Sequence, residues 1–337
     1  MKTKHLSILC ACLTMALAPL ASAQTKYHAF MWNGGIGMTD LGTLGGDISY
    51  ALGINDSGEV VGYSYLADNI TRHAFTWTAA GGMVDLGTLS GGTWSQGEAI
   101  NSSGDIAGEG TDSRGKQVPL FWSAARGFHS LGENVGDPRN YGFSINDRGA
   151  LTGQQYSGSV VNAFIWSVSS PAIQYLPPLP GGLHMVSYDI NNQNHITGNG
   201  SLADGRYAAF IWTQQRGTTG IGTIMGASVT LAHAINDNDE VTGIAYFDST
   251  TSGFYWNRAL GLVTLQTLGG NIGAGLDINL AGTIVGWSSN ASGAIHAAEW
   301  DNYASTPQDL GTLPGGTDSY ARSINASGQI VGYATVP

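Results

Sequence analysis

Short apolar segments alternate with small polar turns along almost the whole chain. Between turns, pieces of a few residues are rich in aromatic and β-branched side chains, as in residues 28–32 (His-Ala-Phe-Met-Trp) and again in residues 59–64. Residues of these types favour β-strands, and the Gly, Asn and Asp residues between them favour turns. No stretch after residue 23 sustains an apolar period of 3.6 residues, so long helices are not expected.

The same pattern recurs seven times. Three markers, an Ile-Asn pair, a Trp and a Gly, repeat in step about every 45 residues. The pairs are Ile54-Asn55, Ile100-Asn101, Ile145-Asn146, Ile190-Asn191, Ile235-Asn236, Ile278-Asn279 and Ile324-Asn325. The tryptophans are Trp32, Trp77, Trp122, Trp166, Trp212, Trp256 and Trp300, and the glycines are Gly62, Gly108, Gly153, Gly198, Gly243, Gly286 and Gly332. The agreement of three markers predicts seven copies of one unit.

Each copy divides into four predicted strands, which is the size of one propeller blade. The repeated region starts on the third strand of a copy and ends after a second strand, so residues 28–42 are expected to pair with residues 319–334. That pairing would complete one blade and leave no open sheet edge. The predicted fold is therefore all-β, a seven-bladed β-propeller closed by its terminal strands, in one domain of residues 24–337. The alternative is an open β-repeat array.

Turn formation and packing explain why several residues are repeated, so no ligand is needed to explain them. Asn followed three residues later by Gly fits a type I turn in which the Asn side chain bonds its own backbone. The residue three before each Ile is small, as in Ala51 and Gly97, which we attribute to crowding near a central axis. Trp32, Phe30 and their equivalents are predicted to fill the gaps between blades as core.

The first 23 residues have the features of a cleavable secretory signal: a charged start, an apolar stretch at 6–20 and Ala-Ser-Ala at 21–23. The predicted protein is therefore secreted, to the periplasm or the extracellular medium, and its mature part has no predicted transmembrane segment. Cys10 and Cys12 both lie in the signal, so the mature chain would hold neither disulfides nor thiolate metal sites.

Charge narrows the predicted partners. Without Lys2 and Lys4 the chain carries 11 basic against 24 acidic residues, a net charge of −13. Such a surface disfavours nucleic acid and anionic membranes as partners. The 50 glycines among 337 residues suit many short strands and tight turns.

The repeated motifs also resemble those of a known family. His-Ala-Phe-Xaa-Trp at 28–32 and 73–77, Asp-Leu-Gly-Thr-Leu at 40–44 and 85–89, and the Ile-Asn and Gly markers that follow are similar to the bacterial HAF repeat family of probable extracellular proteins. The resemblance covers residues 28–337, although the copies drift: residues 296–298 read His-Ala-Ala and lose the Phe, and Asp-Leu-Gly is replaced at Ser130-Leu131 and Tyr175-Leu176. It implies export and repetition, and no particular activity.

The sequence contains no zinc-protease helix motif, no nucleophile elbow and no phosphate-binding loop. His28, His73 and His296 share one repeat position, which favours a structural hydrogen bond over metal binding. No cofactor is predicted. Calcium is the alternative, because the turns at 55–58 and 236–239 offer oxygen donors, although neither has a complete calcium loop.

The two rims of the predicted ring differ. One carries short repeated turns, and the other carries loops of variable length at 64–72, 109–118, 154–162, 199–208, 244–252 and 288–295. Variable loops on a repeated scaffold favour binding specificity at that rim. If a pocket exists, we expect it on the axis at the variable rim. The candidate residues there are Glu98, Tyr188, Asp189, His233, Asp277 and Arg322. The alternative for this set is ordinary blade-to-blade contact, with Glu98 and Arg322 paired.

These patterns favour a secreted, non-enzymatic repeat protein that binds carbohydrate or an extracellular protein at the variable rim. One alternative is an extracellular glycosidase or lyase with axial carboxylates, since paired acids suit sugar chemistry. A purely structural surface protein is the other. The sequence contains nothing that fixes the ligand or the oligomeric state.

Overall fold

The computed structural model describes residues 25–131 and 139–337, and the predicted signal at 1–23 lies outside them. The described residues form 28 β-strands and no helix. In chain order the strands are β1 Lys26–Asn33, β2 Gly37–Asp40, β3 Gly45–Ile54, β4 Val60–Leu66, β5 Arg72–Thr78, β6 Gly82–Asp85, β7 Ser95–Ile100, β8 Ile106–Thr111, β9 Gln117–Ser123, β10 Gly127–Ser130, β11 Asn140–Ile145, β12 Ala150–Ser157, β13 Val160–Ser167 and β14 Ser170–Tyr175. They continue with β15 Met185–Ile190, β16 Ile196–Ser201, β17 Tyr207–Thr213, β18 Gly217–Gly222, β19 Val229–Ile235, β20 Val241–Tyr246, β21 Thr251–Asn257, β22 Gly261–Thr264, β23 Gly269–Ile278, β24 Ile284–Asn290, β25 Ile295–Trp300, β26 Gln308–Asp309, β27 Ser319–Ile324 and β28 Ile330–Val336.

The strands form seven four-stranded antiparallel sheets, which are the blades of a seven-bladed β-propeller. Blades 2 to 7 each use four consecutive strands, from β3–β6 to β23–β26, with the first strand nearest the axis. Blade 1 takes two strands from each end of the repeated region, in the order β2-β1-β28-β27. β1 pairs with β28 from Lys26 opposite Val336 to Trp32 opposite Ile330. The predicted closed ring is therefore confirmed, and the open array is excluded.

The Asn of each Ile-Asn pair joins its blade to the next. Nδ2 of Asn325 donates to the carbonyl oxygen of Asn55 at 3.1 Å, across the closure of the ring. The same bond runs from each Asn to the next through Asn55, Asn101, Asn146, Asn191, Asn236 and Asn279, at distances between 2.8 and 3.4 Å. In each turn Oδ1 also accepts two backbone N–H groups, as predicted. We call this closed set of seven side chains the asparagine ring.

Small residues occur where backbones approach one another. A Cβ added to Gly198 in the second strand of blade 5 would overlap the carbonyl oxygen of Val186 in the first strand. A Cβ added to Gly97 would instead overlap the side chain of Val61 in the neighbouring blade. The small residues of the first strands, which lie nearest the axis, are thus required by close contact with the neighbouring blade.

The repeated His makes the predicted structural hydrogen bond. Nδ1 of His28 lies 2.7 Å from a carboxylate oxygen of Asp40, and His73 and His296 bond Asp85 and Asp309 in the same way. The copies that lack the His have Val118, Asn162, Ala208 and Ser252 there, and they also lack the Asp, having Ser130, Tyr175, Gly220 and Thr264. The paired loss within one chain shows that the two residues act together. Phe30 and Trp32 are buried between blades, so their predicted core role is confirmed.

Candidate functional site

A bulge in the first strand of every blade determines which side chains face the axis. At each bulge one residue has no partner on the second strand, and the register resumes one residue later. The residues are Leu52, Glu98, Phe143, Tyr188, His233, Leu276 and Arg322. A bulge re-aims a side chain away from the sheet face. All seven side chains line one cavity on the axis of the ring.

The axial cavity has a volume of about 390 Å³ and is lined by all six candidate residues, Glu98, Tyr188, Asp189, His233, Asp277 and Arg322. Its mouth lies between the asparagine turns, where Asp56, Asp147 and Asp237 line it. The predicted position at the variable rim is therefore wrong. The physical reason is that each bulge lies only two residues before an Ile-Asn turn, so its side chain is close to the turn rim.

Three consecutive blades give the axial cavity an aromatic wall. The ring centroids of Phe143 and Tyr188 are 5.5 Å apart, and those of Tyr188 and His233 are 5.1 Å apart. Burial, with a smaller effect of the Arg322 charge, lowers the pKa of His233 to about 3. His233 is therefore neutral at physiological pH and can both donate and accept a hydrogen bond.

This lowered pKa predicts an acid-sensitive fold. Because the folded pKa of His233 is below the unfolded value, neutral His233 costs no stability above pH 6.5, and stability is lost as the pH falls from 6.5 towards 3. We expect a His233→Gln variant to lose less melting temperature than wild type between pH 7 and pH 4. Parallel melting curves of the two proteins across that range would contradict the assignment.

Asp189 and Asp277 make contacts between blades. Asp189 accepts from the Ser144 hydroxyl at 2.6 Å and from the Ile235 N–H at 2.8 Å, in the two neighbouring blades. Asp277 accepts from the hydroxyl of Ser323 at 2.8 Å and from the backbone of the next residue. Burial and the nearby Asp189 charge raise the pKa of Asp277 to about 6. Both carboxylates thus act as the blade-to-blade contacts that were the alternative for this set.

Glu98 and Arg322 face each other's charge across the axis. Burial raises the pKa of Glu98, and the Arg322 charge opposes this effect. The two side chains form no ion pair in the described part of the chain, so the predicted direct pairing is not found. Nε of Arg322 is buried and has no hydrogen-bond partner among the described residues.

A second group of aromatic side chains lies at the other end of the axis, near the variable loops. Tyr50 stacks on Tyr63 at 4.9 Å and meets Tyr333 edge-on at 4.7 Å, while Tyr320 stacks on Tyr333 at 5.0 Å. Tyr27, Tyr65 and Trp287 extend the contacts, so that the group spans blades 7, 1 and 2. We call these seven residues the tyrosine cluster.

Next to the tyrosine cluster lies a charged group between blades 2 and 3. Cζ of Arg72 lies 4.3 Å from the ring centroid of Trp94 and 5.2 Å from that of Tyr63. Glu98 and Glu109 are close enough to Arg72 for its charge to act on both carboxyl groups.

Neither the tyrosine cluster nor this charged group was predicted. A usable signal was present, because the residue after each repeated Gly varies: Tyr63, Glu109, Gln154, Asn199, Ile244, Trp287 and Tyr333.

No group of three or more acidic, His or Cys side chains is arranged for a metal within residues 25–131 and 139–337. The oxygens offered for calcium already accept hydrogen bonds: Oδ1 of Asn55 from the N–H groups of its own turn, and Asp237 from the backbone of Asn192. Calcium binding stays an untested prediction. Over the same residues, no helix is long and apolar enough to cross a membrane.

Comparison with proteins of known structure supports the β-propeller fold. No family model and no curated protein sequence matches the chain. A putative TolB from Agrobacterium tumefaciens is 12% identical, with 94% of this chain and 100% of that chain covered, at a TM-score of 0.54. An oligogalacturonate lyase in complex with manganese is 10% identical, with 94% and 99% covered, at 0.56. The propeller domain of the Trilobed protease from Pyrococcus furiosus is 9% identical, with 77% and 82% covered, at 0.55. At these identities the likeness shows the fold alone, that of a β-propeller.

Proposed function

We propose that this chain is a secreted, non-enzymatic β-propeller that binds carbohydrate at its variable rim. The observation that carries the proposal is the tyrosine cluster. Tyrosine and tryptophan offer an apolar ring face and a polar edge, which suits a ligand that presents both C–H and O–H groups. The predicted secretory signal at 1–23 and the resemblance to HAF repeats support export.

The distribution of aromatic residues favours one binding site over a repeated one. The Trp that recurs in every copy serves as core, as Trp300 and Trp212 show by being almost fully buried. The tyrosine cluster, in contrast, occupies only blades 7, 1 and 2. A lectin that used its repeats as equal sites would present the same exposed set in most blades.

The alternatives have less support. Asp189 and Asp277 already accept hydrogen bonds from neighbouring blades, which leaves fewer axial carboxylate oxygens for a glycosidase or lyase. A purely structural repeat gives no reason for six different side-chain types at the seven bulges. A protein ligand would use the same rim, and the binding experiment below distinguishes a protein ligand from a carbohydrate.

The test is a glycan array and a panel of secreted proteins probed with residues 24–337. For a bound glycan, Tyr65→Ala and Trp287→Ala, at opposite ends of the tyrosine cluster, should each weaken the Kd about tenfold through lost stacking. The control is Tyr207→Ala, because Tyr207 starts the third strand of blade 5 at the same rim but outside the cluster. Absence of any bound glycan, or equal Kd values for all three variants, would overturn the proposal.

A further inference from the structure

Arg322 carries hydrogen-bond donors that the protein leaves unused. Its guanidinium makes no hydrogen bond and no ion pair within residues 25–131 and 139–337, and its Nε is enclosed without a partner. The two terminal nitrogens are not enclosed in this way, and Arg322 lines the axial cavity, so a molecule in the cavity can reach them. An arginine side chain stays positively charged in proteins, and buried donors without partners are rare. Arg322 therefore lacks an acceptor that the axial cavity could hold.

The mouth of the same cavity is acidic. It is lined by Asp56, Asp147 and Asp237, which lie in the turns of blades 2, 4 and 6. The lining also includes the carboxyl groups of Glu98, Asp189 and Asp277, and Arg322 is the one Lys or Arg among the described residues that form it. Charges of one sign around a cleft focus the electric field and attract the opposite charge. The mouth would therefore repel a simple anion, and Arg322 would repel a simple cation inside.

Apolar side chains form much of the remaining wall. Leu52 and Leu276 stand at the bulges of the two blades beside Arg322, and Phe143 and Tyr188 stand at the bulges opposite. All four side chains are only partly buried, so each offers apolar surface to the cavity. The volume of about 390 Å³ is at the lower end of the range for small-molecule pockets and is too small for a folded partner.

From the unpaired arginine, the acidic mouth and the apolar wall, we infer that the axial cavity binds a small zwitterion, an amino acid with an apolar side chain. Arg322 takes the carboxylate through two N–H groups, the ammonium group lies towards the aspartates of the mouth, and the side chain packs on the apolar wall. This site opens at the turn rim, opposite the proposed carbohydrate site, and does not depend on it. A neutral sugar could accept a hydrogen bond from Arg322 but would gain no attraction from the acidic mouth.

The experiment uses three ligands that share a phenyl ring: phenylalanine, 2-phenylethylamine without the carboxylate, and 3-phenylpropionate without the ammonium group. In NMR titrations of residues 24–337, phenylalanine should bind at least tenfold more tightly than either of the others. Arg322→Gln should remove its advantage over 2-phenylethylamine. Asp147→Asn, which copies Asn192 of the next blade, should reduce its advantage over 3-phenylpropionate. Arg258→Gln, at an exposed turn of blade 6, is the control and should keep both advantages.

Several results would overturn the zwitterion site. Wild type that binds none of the three ligands, or binds phenylalanine no better than 2-phenylethylamine, contradicts it without any variant. An advantage over 2-phenylethylamine that survives in folded Arg322→Gln removes the role of Arg322, and melting curves establish that each variant is folded. Tighter binding of glucose than of phenylalanine in the axial cavity would assign the cavity to a neutral sugar. Glycan binding at the variable rim should be the same in Arg322→Gln and wild type, so the two proposals fail separately.

Discussion

Replacing Asn191 by alanine is expected to destabilise the protein by about 3 kcal/mol, since three backbone hydrogen-bonding groups, one fully buried and two partly buried, lose their partner. Oδ1 of Asn191 accepts the N–H groups of Gln193 and His195, both at 2.9 Å, and Nδ2 donates to the carbonyl oxygen of Asn236 at 3.0 Å. The side chain is 4% exposed, so water cannot replace these bonds without opening the contact between blades.

Denaturant unfolding of Asn191→Ala beside Asn162→Ala measures this effect. Asn162 lies in the third strand of blade 4, outside the asparagine ring, and its loss should cost less than about 1 kcal/mol. Asn191→Asp supplies a second measurement. It keeps the acceptor but brings a carboxylate to the oxygen of Asn236, which raises its folded pKa, so the variant should regain stability as the pH falls towards 4. Equal unfolding free energies for the two alanine variants would show that the ring contributes nothing.

Gly198→Ala is the second substitution with a large expected effect. The added Cβ would overlap the carbonyl oxygen of Val186 and approach Cα of Ser187 to 2.8 Å. Both are backbone atoms of the bulged first strand, which cannot move without shifting the blade. Overpacking of this kind costs about 1–3 kcal/mol when side chains can adjust, and we expect the upper end or more where backbone must move.

Gly35→Ala is the matched control. Gly35 lies in the turn between β1 and β2, and a Cβ there would meet nothing within 4 Å. Its unfolding free energy should stay within about 0.5 kcal/mol of wild type. A Gly198→Ala protein as stable as Gly35→Ala would mean that the first strand adapts easily, and the repeated Gly would then need another cause.

The fold could be predicted from the sequence because repetition multiplies a weak signal. One copy around Ile54-Asn55 predicts only short strands and a turn. Seven copies fix the period, and the third-strand motif at 28–32 with the second-strand motif near Gly332 predicts the shared blade. Strand alternation and turn residues are local properties, and local properties can be predicted from the sequence.

Hydrogen bonds between blades cannot be predicted from the sequence in the same way. The Asn turn predicts the backbone bonds of Oδ1, but Nδ2 of Asn325 reaches Asn55 on the far side of the sequence. The bulge was equally hidden, because an extra residue in one strand changes no composition. It redirected Tyr188 and His233 towards the turn rim, which is why the right residues were predicted to line the axis at the wrong end.

The charged group beside the tyrosine cluster depended on contacts that no motif records. Arg72 follows a variable loop, Trp94 precedes β7 and Glu109 lies within β8. These residues come into contact because neighbouring blades pack against each other. In the sequence, each one is only a position at which one repeat differs from the others. Only the variation after the repeated Gly marks Glu109 as unusual.

The shared blade ties ring closure and the tyrosine cluster into one mechanical unit. Lys26 and Val336 end paired strands at the variable rim, and Tyr27, Tyr320 and Tyr333 stand on the three strands of that blade that lie nearest the axis. A force that peels β1 from β28 therefore opens the ring and separates these rings in the same event. Tension between the two ends of the propeller would therefore disrupt the tyrosine cluster before any other blade unfolds.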